Sequence, residues 1–172
     1  MSAIEALPQQ TKDALRGKFA AANDTSWVLT LAAREGWEQA NRSYLAAMRQ
    51  RGAEEMAALM DAAGVSQPAS LDDALQLLDM ALSFWAPATK IKHLKAKPGE
   101  ALLELRVINC PTFAKLQKED WHGVTACGNW HWRRGWYDAL GIEVEDTLLR
   151  EKKWGYGACV AQVRLHEGRT RS

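Results

Sequence analysis

Hydrophobic and polar positions follow one rhythm in the first half of this chain and another in the second. Over residues 1–86 the pattern recurs at helical intervals. In TSWVLTLAAREGWEQANRSYLAAMRQR the positions Trp27, Leu31, Arg34, Trp37 and Tyr44 mark such intervals, polar residues fall mostly between them, and Thr25 or Ser26 is placed to cap the start. EEMAALMDAAG reads as a short helix closed by Gly64. SLDDALQLLDMALSFWA is a cleaner helix, with Ser70 as N-cap, Asp73 giving a box-like start, and Pro68 and Pro87 bounding it.

From residue 88 the period shortens. TKIKHLKAK alternates in part, with Ile91 and His93 on one side; ALLELRVI follows a turn containing Pro98 and Gly99; GACVAQVRL, at 157–165, is a third strand. The first two strands make a hairpin. Between the second and third lie CPTFAKLQKED, WHGVTACGNWHWRRGWYDAL and GIEVEDTLLREKKWGYG, the middle piece spaced as a helix although Gly128 and Gly135 interrupt it. The expected fold is α+β: N-terminal helices packed on a small, mainly antiparallel sheet, with a long inserted aromatic-rich helix. It forms a single domain over 1–172, with a helical half (1–86), a sheet-containing half (88–165) and a flexible tail from His166 to Ser172.

Composition narrows the function classes. The chain has 172 residues, 47% of them apolar, with 22 Lys and Arg against 21 Asp and Glu. That charge balance provides no field to collect nucleic acid or an anionic membrane. No run approaches a transmembrane span and the start has no export signal, so a cytoplasmic protein is expected. Its three cysteines, Cys110, Cys127 and Cys159, lack zinc-knuckle spacing and read as free thiols. The apolar content is compatible with a homodimer.

Candidate chemistry gathers in the second half. Cys110 ends a strand and precedes Pro111, which favours the first helical position, so its sulfur would face the unpaired N–H groups of a helix start, an environment that lowers a thiol pKa. The opposing reading is a small buried core residue. Cys127 and His131 stand four apart and share a face if the segment is helical, a spacing that suits a thiol–imidazole pair or a shared metal. Zinc would need further ligands from Cys110, Cys159, His122, Glu119 or Asp120; no metal ligand is assigned, and zinc is the alternative. His122 sits where it could point toward Cys110. Of the adjacent Arg133 and Arg134, one can hold a substrate carboxylate while the other faces solvent. Trp130, Trp132 and Trp136 diverge around a helix, Trp132 and Trp136 sharing a face, which fits a pocket wall or packed helix and not a flat stacking platform. Gly155 and Gly157 flank Tyr156 in a turn before the last strand. No Walker loop, dinucleotide fingerprint, H-E-x-x-H or G-x-S-x-G occurs.

The order INCPTFAKLQKED, ACGNW and LGIEVEDTLLREKKWGYGACVAQVRL resembles the family of L-2-amino-thiazoline-4-carboxylic acid hydrolase-like proteins over about residues 100–165. The matching positions are Cys110 with Pro111, Cys127, and Cys159 after the Gly155–Gly157 turn. Where that family commonly has an aspartate soon after the middle cysteine, this chain has Gly128, Asn129, Trp130 and His131. The late part is similar, more distantly, to small-molecule-binding domains related to vinyl reductases, in which clustered Cys and acidic residues hold zinc. The resemblance implies a small α+β hydrolase acting on a non-peptide C–N or C=N bond of a cyclic amino-acid-like or heterocyclic substrate. Cys110 would be nucleophile, His131 or His122 base and proton donor, and Tyr156 a stabiliser of developing charge. Arg133 or Arg134 would receive the carboxylate, and Trp130, Cys127 and Cys159 would line the pocket. The alternative is a non-catalytic small-molecule-binding or sensor domain with structural zinc.

Overall fold

The computed structural model describes residues 7–20, 26–118 and 126–166. Four helices come first: α1 (Gln9–Ala20), α2 (Ser26–Glu35), α3 (Trp37–Ala62) and α4 (Leu71–Trp85). The helical segment inferred to run from Thr25 to Arg51 is broken at Gly36. Its N–H closes α2 on the Ala32 carbonyl at 2.9 Å, and its backbone then turns to φ 84°, a value glycine adopts freely. Conversely, EEMAALMDAAG is not a separate helix. It is the end of α3, which runs unbroken through Gly52.

Gly64, at φ 69°, closes α3 as expected. Its N–H reaches the Asp61 carbonyl at 3.0 Å and the Val65 N–H reaches Met60 at 2.9 Å, the paired bonds of a Schellman end. At α4 the Ser70 hydroxyl accepts the Asp73 amide at 3.2 Å and donates to the Asp73 carboxylate at 3.0 Å. That box fixes the start of a helix whose Ala74, Leu77, Leu78, Ala81 and Leu82 are buried.

The sheet contains β1 (Thr89–Leu94), β2 (Glu100–Val107), β3 (Glu143–Arg150) and β4 (Cys159–His166), in the order β1-β2-β4-β3 with every pair antiparallel. The expected hairpin joins β1 to β2, with Pro98 and Gly99 inside a turn closed by the Glu100 N–H on the Lys97 carbonyl at 3.1 Å. The strand β3 was not among the expected elements. EVEDTLLR lies at the edge of the sheet with its glutamates exposed and a register shift between Leu148 and Arg150, so its alternation is half acidic and irregular. His166 also departs from expectation: it ends β4, opposite Glu100 and Glu143, and is not in a tail. Residues 167–172 lie outside the described residues.

Between β2 and β3 come α5 (Pro111–Lys118) and the aromatic-rich α6 (Gly128–Leu140). One core unites both halves, with Met56 and Leu59 of α3, Leu77, Leu78 and Leu82 of α4, Trp136 and Leu140 of α6, and Leu103, Leu105, Val163 and Leu165 of the sheet. The glycines that interrupt the helical reading of α6 serve packing. A Cβ at Gly135 would run into the Arg49 carbonyl, and one at Gly52 into the Trp132 carbonyl, so α3 and α6 cross with backbone against backbone. Beside this crossing the wholly buried Glu55 accepts the Trp132 indole N–H at 2.5 Å, the Trp136 indole N–H at 3.4 Å and the Arg51 Nε–H at 2.8 Å. The carboxylate thus satisfies both indoles, whose rings meet edge to face at 4.6 Å. Among the described residues no helix is long and apolar enough to cross a membrane.

Candidate functional site

Strand β2 delivers Cys110 to the start of α5. Its carbonyl accepts the Ala114 N–H at 3.1 Å, and its sulfur accepts the Phe113 N–H at 3.4 Å. A second donor comes from α6, where Asn129 Nδ2 lies 3.6 Å from the same sulfur. Cys110 is buried, at 9% exposure, with two N–H donors aimed at its Sγ.

Cys127 is the residue before α6, in extended geometry at φ −77° and ψ 99°, and so caps the helix that carries His131 without being part of it. The long helix α3 holds this approach in place. Asn41 Oδ1 accepts the Ala126 N–H at 2.9 Å, and Gly128 lies so close to Tyr44 that a Cβ there would strike the phenol oxygen. Tyr44 is buried; its hydroxyl is pushed up to about 12, first by burial and then by the neighbouring Cys127 and Cys110.

Cys159 opens β4 opposite Val107, near the strand end from which Cys110 departs. Its sulfur accepts the Lys152 N–H at 3.4 Å. Chain proximity and these contacts bring the three thiols into one neighbourhood: Asn129, two residues after Cys127, reaches Cys110, and Phe113, whose amide caps onto Cys110, has the Lys152 ammonium 5.6 Å from its ring. Burial pushes the Cys127 thiol up, with the Trp130 amide opposing, Glu151 and Cys159 adding to the rise and Arg133 countering it. Burial likewise raises Cys159, the Lys152 amide opposing and Cys110 and Glu151 adding.

Two charged side chains belong to this neighbourhood. Arg133 stands one turn after Asn129 on α6, its guanidinium 5.3 Å from the Trp130 ring centroid. It is 6% exposed and its Nε has no hydrogen-bond partner. Glu151, also 6% exposed, directly precedes Lys152 and has Lys153 Nζ 3.4 Å from Oε2.

The other anticipated residues lie elsewhere. Arg134 does not face solvent alone: Nε and a terminal nitrogen grip the two Asp146 oxygens at 2.9 and 2.8 Å, clipping α6 to β3. His131 belongs to the same ionic side of the helix, its imidazole lowered by burial and then by Arg134 and Arg49, with Asp146 opposing. Tyr156 is exposed beneath the Arg150 guanidinium, 5.7 Å from its ring centroid. His93 is exposed on β1. His122, with Glu119 and Asp120, lies outside the described residues. Among the described residues no three of His, Cys, Asp or Glu form a group able to hold a metal ion.

Sequence reasoning did not assign Tyr44, Asn41, Asn129 or Glu151 to the site. Tyr44 read only as a core position at helical spacing, and Glu151 stands in the run REKK, which reads as a solvated charge cluster. Comparison with protein-family models and with curated proteins finds no match for this chain.

Proposed function

We propose that the chain is a cytoplasmic small-molecule hydrolase that uses Cys110 to open a non-peptide C–N or C=N bond in a cyclic amino-acid-like or heterocyclic substrate. The observation that carries this reading is the convergence of the Phe113 and Asn129 N–H donors on the Cys110 sulfur at the start of α5, which orient the sulfur and can receive the charge it carries during attack and departure. With a cyclic amidine, the sulfur adds to the amidine carbon, the ring nitrogen takes a proton and leaves as the amine, and a thioimidate stays on sulfur. Water then adds to that carbon and releases the thiol, so that one water is consumed and an open-chain amide is formed. His122 is the histidine proposed for proton transfer, because the charges that act on His131 are those of Arg134, Arg49 and Asp146 and not those of the thiols. For the anionic group of the substrate Arg133 is the choice, because Arg134 is taken by Asp146.

The rival reading, a non-catalytic binding or sensor domain, draws support from Cys127 and Cys159, whose raised thiols make them poor nucleophiles. A screen of cyclic amidines and amides for ring opening, run with the wild type and Cys110→Ser, separates the two. The hydrolase reading expects turnover that falls by on the order of a thousandfold or more in the variant. Turnover untouched by the substitution, or tight binding with no turnover at all, would favour the rival.

A further inference from the structure

Among the described residues three charged side chains are buried: Glu55, Arg133 and Glu151. Glu55 is accounted for by its two indole donors and Arg51. The other two are not accounted for by the fold. Arg133 has a buried Nε without an acceptor, and its neighbour is the face of Trp130, which attracts the charge but accepts no hydrogen bond in the plane of the guanidinium. Glu151 meets Lys153 through one oxygen only, and that lysine is one-third exposed, so much of the ammonium stays with water.

Both charges border the thiols. On α6, Arg133 shares a face with Asn129, whose carboxamide touches Cys110. In the chain, Glu151 adjoins Lys152, whose amide touches Cys159. Each lies within electrostatic reach of Cys127 and Cys159, yet no ion pair joins the two. A charge taken out of water persists when something compensates it, and opposite charges held apart beside the thiol cluster are complementary to a ligand that carries both signs.

We propose that Glu151, together with Arg133, determines the specificity of the thiol site. Arg133 receives a carboxylate through its planar fork, and Glu151 receives a protonated nitrogen at the other end of the same small molecule. This rests on the reading of the thiol cluster as a small-molecule site and adds the residue that discriminates among its ligands. A dianion such as inorganic phosphate is disfavoured, because Glu151 repels the second charge that Arg133 alone would welcome.

The test measures calorimetric affinity of the full chain for L-proline, N-acetyl-L-proline and L-prolinamide, a zwitterion and its singly charged analogues. The wild type should bind L-proline about tenfold more tightly than either analogue. Glu151→Gln, a change of similar shape, should lose the preference over N-acetyl-L-proline and keep that over L-prolinamide, while Arg133→Gln should do the reverse. If Arg133→Gln does not fold, the Glu151→Gln arm suffices. Equal affinity for the three probes, an unchanged preference in Glu151→Gln, or no binding of any probe to the folded wild type overturns the proposal. The hydrolase reading is judged separately: charge preference without Cys110-dependent ring opening keeps this inference and loses that reading, and ring opening without charge preference does the opposite.

Discussion

Asn129 points its carboxamide nitrogen at the Cys110 sulfur across 3.6 Å, joining the first turn of α6 to the end of β2 although the two residues belong to separate elements. On the reading of Cys110 as nucleophile, the contact ties the thiol to where α6 sits. Asn129→Ala should slow alkylation of Cys110 by iodoacetamide by about threefold to tenfold at neutral pH, since a hydrogen bond to an ionised group is worth about 1.5–3 kcal/mol before water replaces part of it. Peptide-resolved mass spectrometry reads the rate at each cysteine, and a drop shared equally by all three would point to general loosening and not to this contact.

Glu151→Gln gives a second thiol prediction. Its negative charge adds to the burial that holds Cys127 and Cys159 above the ordinary thiol value of 9.0. Removing it should speed the alkylation of both by about threefold at pH 8, with the rate still climbing toward alkaline pH. Unchanged rates at both positions would mean that the carboxylate does not act on the sulfurs.

The crossing of α3 over α6 sets a stability prediction. Gly135→Ala places a methyl group against the Arg49 carbonyl and the Ala53 nitrogen, and should cost about 3 kcal/mol by urea unfolding. Gly17→Ala in α1 meets nothing within 4 Å and should instead stabilise by about 0.5–1 kcal/mol. Equal effects at the two sites would contradict the close approach.

How much of this was legible beforehand depended on whether the deciding contact was local. Ser70 with Asp73, Pro98 with Gly99 and Gly64 announce their turns through neighbours in the chain, and Cys110 before Pro111 announces a helix start. Gly52 and Gly135 carry the opposite lesson: a glycine inside a helical pattern reads as a break, and only the facing backbone of the partner helix explains it. Gly36 repeats it in reverse, a break hidden within an apolar rhythm that continues across it. At the site, the sequence supplied the three cysteines and the two arginines. The choice between Arg133 and Arg134 waited on Asp146, which lies twelve residues away on a strand whose acidic, irregular pattern did not declare itself. Cys127 sits just ahead of the helix that carries His131, a boundary that the continuous spacing of the segment does not mark.

Glu55 provides a pH prediction. Burial, the largest effect, holds its carboxyl above the ordinary value of 4.5 against the opposing hydrogen bonds of Arg51, Trp132 and Trp136. The folded form therefore keeps this proton to higher pH than the unfolded chain does, so the contribution of the group is full below the ordinary value and is lost as pH rises through the raised folded value. Relative to Glu55→Gln, which cannot titrate, the wild type should lose stability as pH rises above the ordinary carboxyl value of 4.5. Denaturation midpoints that move in parallel for the two proteins would show that Glu55 does not control this window.

The contact of α3 and α6 through bare backbone also has a mechanical result. Flexible side chains at a helix crossing act as cushions that absorb small displacements, and at Gly52 and Gly135 there is no cushion. The seat of α6 on α3 is therefore set by the two backbones themselves, and with it the places of the Asn129 carboxamide near one tip of the helix and of Arg134, clipped to Asp146, along its shaft.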